Sequence, residues 1–291
     1  MSAPEKPRSE APYDHRYHAG NVGDVLKHTV LVAALRGLAA LPRPVHVLDT
    51  HAAGGRYRLK PTGEWTAGIG RLDAGLPEDA PPAVRDYTAA VAWPRRPDHG
   101  GGYPGSPSLI RKALRPGDHL TCVELMEEPR RELEALFKDD DQVTVRGGDG
   151  LSALVEAATV RAPAGLFGLV DPAYAGKNEW GEVADALTAC WMARPDVRLM
   201  LWYPIKSASR PNALKAQLRE AGVPATAIEL CSIPLHLDTK RRKALNGSGV
   251  ILVQPPPGVL PRVAAALPTL GERLAAKGAY TSSVEAWGGA E

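Results

Sequence analysis

The chain has 291 residues, 44% hydrophobic and 23% charged, with 35 Lys and Arg against 33 Asp and Glu for a net charge of +2. That composition excludes a wholly disordered chain, and the length fits one α/β domain with an insertion. A domain of this size buries about three-quarters of its unfolded surface, so neither a disulfide nor a metal is needed to hold it.

Residues 1–12, MSAPEKPRSEAP, carry no apolar stretch and are expected to form a disordered leader rather than a signal peptide; residues 13–291 form the folded domain. The first helix is expected from Val22 to about Leu41, capped by Asn21, with Asp24 favouring its positive end and Pro42 stopping it. Asp24, Lys27 and His28 share one face of it. Seven short apolar runs follow, at 45–49, 119–125, 142–146, 166–171, 197–203, 227–231 and 249–254. Near-continuous apolar strands alternating with helices indicate a buried, mostly parallel sheet, an α/β doubly wound fold. The last two runs have only a basic loop between them and are expected to pair as an antiparallel hairpin at one edge. The long gap after the first strand is read as a small, mostly helical insertion at about 56–102. Ser106 and Pro107 then open a helix as N-cap and first helical residue, and Gly117 closes it.

Cys122, Cys190 and Cys231 form no Cys-x-x-Cys pair, which suits a reducing cytoplasm better than a disulfide or zinc scaffold. No apolar run is long enough to span a membrane. Charge is segregated: residues 123–141 hold eight acids and three bases, whereas 194–243 hold ten bases and four acids, ending in Lys240-Arg241-Arg242-Lys243. Such a basic segment permits a polyanionic partner.

Three places carry chemistry. Asp49-Thr-His-Ala-Ala-Gly-Gly55 ends the first strand with small residues, where a ligand can approach the backbone at the carboxyl edge of the sheet. Glu124 at the end of the second strand is placed to accept both ribose hydroxyls of a nucleoside cofactor, and Asp149-Gly150 lies where its base would sit. Asp171-Pro172-Ala173-Tyr174 ends the fourth strand. An exocyclic amine on a nucleobase is a poor nucleophile because its lone pair is delocalised. Asp171 can accept one N–H and the Pro172 carbonyl the other, favouring a pyramidal nitrogen, while Tyr174 can stack on an extruded base. The three histidines near the N-terminus, His15, His18 and His28, match no zinc spacing, and no metal is expected.

Taken in order, Tyr13, His18-Ala-Gly-Asn21, Asp24-Val-Leu-Lys-His28, Leu48-Asp-Thr-His51, Gly55-Arg-Tyr57, Tyr103-Pro-Gly-Ser-Pro107, Glu124-Leu125, Asp149-Gly150, Asp171-Pro172, Tyr174, Trp202-Tyr-Pro204 and Gly247-Ser-Gly249 span nearly the whole chain. On these segments the chain resembles the 23S ribosomal RNA adenine-N6 methyltransferases. The resemblance implies a class I S-adenosylmethionine-dependent methyltransferase fold, Rossmann-like, with seven strands and the helical insertion. It implies that Lys27, His28, His51, Ser106, Glu124, Asp149, Gly150 and Asp171 bind S-adenosylmethionine. Asp171, Pro172 and Tyr174 would form the catalytic centre, with Asp171 receiving the amine proton, and Tyr13 would contact the substrate RNA. That RNA is expected to be 23S rRNA, protein-free or partly assembled. Two positions depart from the family: Ala53-Gly54 stands for Gly-Ala in the first loop, and Ala173 replaces the second proline of the catalytic tetrapeptide. A DNA adenine methyltransferase and a catalytically lapsed RNA-binding protein are the alternatives. The first lacks a visible DNA-recognition domain, and the second is opposed by Asp171, Tyr174 and Glu124. A nicotinamide enzyme would not need Asp-Pro-x-Tyr.

Overall fold

The computed structural model describes residues 15–95, 102–160, 162, 164–238, 245–276 and 278–288. The expected leader, Tyr13 and the basic run Lys240–Lys243 lie outside the described residues. Helices α1 (His15–His18) and α2 (Val22–Ala39) come first, followed by strand β1 (Val45–Asp49). Then come β2 (Arg56–Tyr57), a 3-10 turn at Glu64–Thr66, α3 (Ile69–Asp73), α4 (Pro82–Arg95) and β3 (Tyr103–Pro104). A regular alternation follows: α5 (Ser106–Ala113), β4 (His119–Glu124), α6 (Glu127–Leu136), β5 (Val143–Gly147), α7 (Gly150–Thr159), β6 (Gly165–Val170), α8 (Glu179–Ala193), β7 (Arg198–Ile205) and α9 (Ser209–Glu220). The chain closes with β8 (Ala225–Cys231), β9 (Gly247–Val253), α10 (Val259–Leu274) and β10 (Thr281–Trp287).

One sheet holds eight strands in the order β10-β8-β9-β7-β6-β1-β4-β5. The five strands from β7 to β5 run parallel, and β9, β8 and β10 add antiparallel pairs. Strands inside such a sheet are covered on both faces and must be apolar throughout; β6 and β9 are buried at every residue. One core packs α2, α4 and α10 on the first face, and a second packs α7, α8 and α9 on the other. Of the 18 residues of α2, 14 are buried, including Lys27 and His28. A helix apolar almost all round belongs in the interior, and α4, α5 and α10 cover it. The two-residue ribbon β2–β3 pairs Arg56 with Pro104 and Tyr57 with Tyr103, so the helices between them leave and return at one place.

The structure corrects several sequence expectations. The class I arrangement of seven strands is present with an eighth, β10, added. The β8–β9 hairpin exists, but β10 pairs with β8 and takes the outer edge. Every residue of β10 before Trp287 is exposed, so no apolar alternation marks it; backbone pairing and Trp287, whose Nε1 donates to the Val223 carbonyl at 2.9 Å, hold it. Ser106 is not the N-cap of α5. Gly105 occupies that position, and the helix ends at Ala113, before Gly117. Asn21 does cap α2, its side chain accepting from the Asp24 amide at 3.0 Å, and one helical turn, α1, precedes it. α2 ends at Ala39 rather than Leu41.

Gly150 opens α7 directly under the first loop, and a Cβ there would lie 1.9 Å from the Thr50 carbonyl oxygen. Gly150→Ala is therefore expected to lower stability by about 1–3 kcal/mol through forced backbone displacement. Gly181 in α8 has open space around it, and Gly181→Ala should raise stability by about 0.5–1 kcal/mol through helix propensity. Urea unfolding of the two variants beside the parent chain checks the contrast in sign.

Candidate active site

The carboxyl ends of β1, β4 and β6 meet at one edge of the sheet, and the loop after β1 is stitched to both neighbours. The Thr50 amide and hydroxyl both donate to the Leu169 carbonyl at 3.0 Å, and the Ala52 amide donates to the Val123 carbonyl at 3.1 Å. Glu124 is buried. Its Oε2 accepts the Ala53 amide at 2.9 Å and its Oε1 accepts the Met126 amide at 2.7 Å. Each carboxylate oxygen has a second lone pair, so Glu124 can hold the loop and still accept a hydroxyl. Ala53 sits at φ 47°, in the left-handed region that glycine enters freely. The exchange of residue types in this loop therefore places the methyl where the backbone favours glycine.

From the other side α2 brings an ion pair. Lys27 Nζ lies 2.7 Å from Asp24 Oδ1 and 2.5 Å from Asp171 Oδ2. Burial pulls the Lys27 ammonium down, but Asp171 and Asp24 outweigh it and hold it well above its ordinary value. Burial likewise pushes Asp24 up, and Lys27, His28 and the Gly20 amide bring it down to about 2. Lys27 also stands 5.8 Å over the Trp202 ring. His28 points into the protein. Its Nδ1 meets the Tyr103 hydroxyl at 2.9 Å, Tyr103 meets Tyr87 at 3.0 Å, and its Nε2 is buried with no partner. Burial brings His28 down to about 3, so the ring is neutral.

Asp49 is the residue whose role sequence reasoning missed, although it stands at a strand end before a glycine turn. It is completely buried, and neither carboxylate oxygen has a partner of hydrogen-bonding geometry. Burial raises it to about 7; the Ser106 hydroxyl and the His51 amide lie near enough to oppose that rise, and Asp171 adds to it. Ser106 is buried at the start of α5 beside it. His51 is half-buried, with Nδ1 at 2.7 Å from the Thr50 hydroxyl. Burial lowers His51, while Asp171, Glu124, Glu179 and Asp149 counter from around it. Asp149 is exposed and caps α7 by accepting the Ser152 amide at 2.7 Å, which lowers its pKa.

Asp171 follows β6 directly, half-buried, and Pro172 is buried. Asp171 Oδ1 has no partner among the described residues. Tyr174 adopts φ 52° and donates its hydroxyl to the Trp202 carbonyl at 2.9 Å. Its ring centroid lies 4.3 Å from that of Trp180. The expected stacking residue is thus already packed against one aromatic neighbour. Lys27, His51, Glu124, Asp149 and Asp171 are neighbours, while His28 lies behind them against Tyr103. Buried and half-buried carboxylates outnumber cations, the loop backbone is open to close approach, and orphaned acceptors line the wall. That suits a cationic ligand carrying a vicinal diol.

Comparison with known proteins agrees. Residues 42–287 match the family described as Ribosomal RNA large subunit methyltransferase D, RlmJ. The Ribosomal RNA large subunit methyltransferase J of Escherichia coli (strain K12) is 31% identical over 278 residues, covering 94% of this chain and 97% of its own. The protein of the same name from Haemophilus influenzae is 30% identical over 285 residues, again covering 94% of this chain and 97% of its own. A crystal structure of a Legionella pneumophila protein superposes with a TM-score of 0.80 at 26% identity, over 92% of this chain and 98% of that one. With most of its length matched in this way, the chain belongs to the RlmJ family of ribosomal RNA large-subunit methyltransferases.

Proposed function

We propose that this chain methylates N6 of one adenine in 23S rRNA, acting on RNA that is protein-free or partly assembled, in the cytoplasm. One observation carries the chemistry. The carboxylate of Asp171 is gripped at Oδ2 by Lys27, 2.5 Å away, while Oδ1 is left without a partner at the open edge of the sheet. Three unpaired, buried cysteines support a reducing compartment, and no helix among the described residues is long and apolar enough to cross a membrane.

The residues fit S-adenosylmethionine. Its sulfonium and ammonium are cationic, matching the excess of carboxylates, and the two buried, unpartnered oxygens of Asp49 are acceptors in need of a donor. Glu124 would hold the ribose, Asp149 and Gly150 would flank the base, and Lys27, His51 and Ser106 would surround the methionine end, with His28 behind them against Tyr103. When bound, the cofactor supplies an electrophilic methyl on sulfur. The protein supplies the rest. Lys27 fixes the rotamer of Asp171 through the contact at Oδ2. Asp171 Oδ1 accepts one N–H of the adenine amine and the Pro172 carbonyl accepts the other, which pulls the nitrogen lone pair out of conjugation. Asp171 then takes the proton that the amine loses. The Tyr174 ring, set by its bond to Trp202, offers a face to the base.

Asp171→Asn keeps shape and fold but loses the anionic acceptor; single-turnover methyl transfer to 23S rRNA should fall by about 10²–10⁴-fold. A wild-type rate would place the chemistry elsewhere. Glu124→Gln should weaken cofactor binding by about 1.5–3 kcal/mol, the value of a bond to a charged group, while calorimetry of an unaffected variant would remove the ribose role.

Asp49 makes a separate prediction. With its folded pKa raised to about 7, it holds a proton below that pH, and a cationic ligand beside it favours the ionised form. Cofactor binding at pH 6–7 should therefore release up to about one proton. Above pH 8 the release should vanish, because Asp49 is already ionised. Calorimetry in buffers of different ionisation enthalpy reads this directly, and Asp49→Asn should abolish it.

A further inference from the structure

A second hollow opens at the carboxyl edge of the same sheet, on its antiparallel half. Its volume is about 210 Å³, and its walls include Ile205 at the end of β7, Asn212 near the start of α9, Glu229 and Cys231 of β8, His236, and Thr281 of β10. That is below the roughly 300 Å³ at which pockets for whole drug-sized ligands begin, and it suits one planar ring system.

The wall is built rather than incidental. Glu229 Oε1 accepts the hydroxyl of the fully buried Tyr203 at 2.7 Å and the ammonium of the buried Lys215 at 3.1 Å. These two bonds hold the carboxylate in one orientation, and Oε2 keeps no partner among the described residues. The side-chain amide of Asn212 and the exposed ring of His236 likewise have no hydrogen-bond partner among the described residues. Ile205 and Cys231 supply apolar wall. On the rim, Lys206 and Arg210 are exposed and have no carboxylate partner among the described residues. Other cations of this region are engaged: Lys215 with Glu229 and Glu285, Arg219 with Glu285, and Arg194 with Asp196.

A carboxylate in the wall repels a phosphate but accepts an N–H, as acidic side chains do from base amino groups. Free cations outside the hollow suit phosphates instead. The hollow lies between the ends of β7 and β8, which flank β9, so its centre stands two strand intervals from Asp171 after β6, roughly 10 Å along the edge at about 4.8 Å per interval. A few nucleotides of single-stranded RNA span that distance. We propose that this hollow is a subsite for a nucleobase that flanks the target adenine and bears an exocyclic amine, with the adjoining phosphates passing Lys206 and Arg210. The subsite rests on the reading of the chain as an RNA methyltransferase.

The test uses the full chain, an RNA fragment carrying the mapped target adenine, and the same fragment with single abasic or uridine replacements within a few positions of it. Asn212→Trp fills the hollow from an exposed helix position, and His236→Ala removes one wall. Both should raise KM for the intact fragment by about tenfold or more, the scale of one lost base contact. Both should leave kcat and the affinity for S-adenosylmethionine unchanged. In the wild-type protein one flanking position should be as sensitive to abasic replacement, and should disfavour uracil. At that position alone the Asn212→Trp and abasic effects should not add, because they remove the same contact. Wild-type turnover with unaffected variants, or variant and abasic effects that add at every position, would overturn the subsite and leave the methyltransferase reading standing. Failure of the wild-type protein to methylate any RNA would bring down both.

Discussion

The active edge depends on one buried ion pair. Lys27 and Asp171 are 144 residues apart in sequence, and their contact at 2.5 Å joins the first long helix to the end of β6. Burying two charges is costly, and a lone pair seldom recovers that cost. Here a second acid helps. Asp24, one helical turn before Lys27, is itself anchored by the Gly20 amide at 2.8 Å, so the ammonium has two carboxylates and the ring of Trp202 around it. Asp24 sits at the N-terminal end of α2, where the helix dipole favours its charge. The cap at Asn21, the acid at Asp24 and the lysine at Lys27 therefore form one device that delivers a cation to the carboxylate of Asp171. Removing Lys27 would leave two acids facing each other in a desolvated place, so its loss would reach the fold as well as the chemistry.

A second constraint is steric. The loop after β1 must pass close enough to Gly150 that no side chain fits there, and it must be held open by Glu124 rather than by its own residues. Glu124 thereby holds the loop with both oxygens, and on the proposed reading the same two would also meet the ribose. This explains how Ala53 is tolerated at a left-handed angle: the Ala53 amide is tied to Glu124, and the Ala52 amide to Val123, so the conformation is imposed from the neighbouring strand. The cost of one non-glycine residue there is about 1 kcal/mol, small beside the bonds that enforce it.

Much of this was legible in the residues. Six of the seven expected strands were visible because inner strands of the sheet are largely buried and so apolar, while β5, an edge strand with no buried residue, shows only its alternating valines. Asn21 was visible because caps have a narrow chemistry, and the position of Asp171-Pro172 at the end of β6 because an apolar strand stops there. Other features were not legible, for identifiable reasons. β10 is solvent-exposed along most of its length and earns its place by backbone pairing, which leaves no periodic trace. Asp24, Lys27 and His28 read as one polar face, yet His28 turns away to Tyr103, because α2 is covered by α4 and α5 as well as by the sheet. The orphaned state of Asp49 follows from the packing of three strand ends and α5, contacts that no local pattern announces. Ser106 looked like a cap since serine often is one, but Gly105 takes the turn and leaves the hydroxyl beside Asp49.

The charge segregation noticed along the chain acquires a spatial meaning. The acid-rich stretch 123–141 contains Glu124 and all of α6, on the parallel half of the sheet where the loop after β1 lies. The base-rich stretch 194–243 contains β7, α9 and β8, on the half that becomes antiparallel. Counting charges overstates the second group, because Lys215, Arg219 and Arg194 are satisfied within the protein. What remains free among them at the carboxyl edge, Lys206 and Arg210, lies beyond β6 on the side away from β1. Asp171 stands at the boundary between the halves. A cationic cofactor on the acidic side and a polyanionic strand on the basic side would each meet complementary charge, and the two would approach one another only at that carboxylate. On that proposal, the change from parallel to antiparallel strands after β7 would separate the two ligands: it ends the run of loops at the acidic half and leaves the same edge to the free cations Lys206 and Arg210.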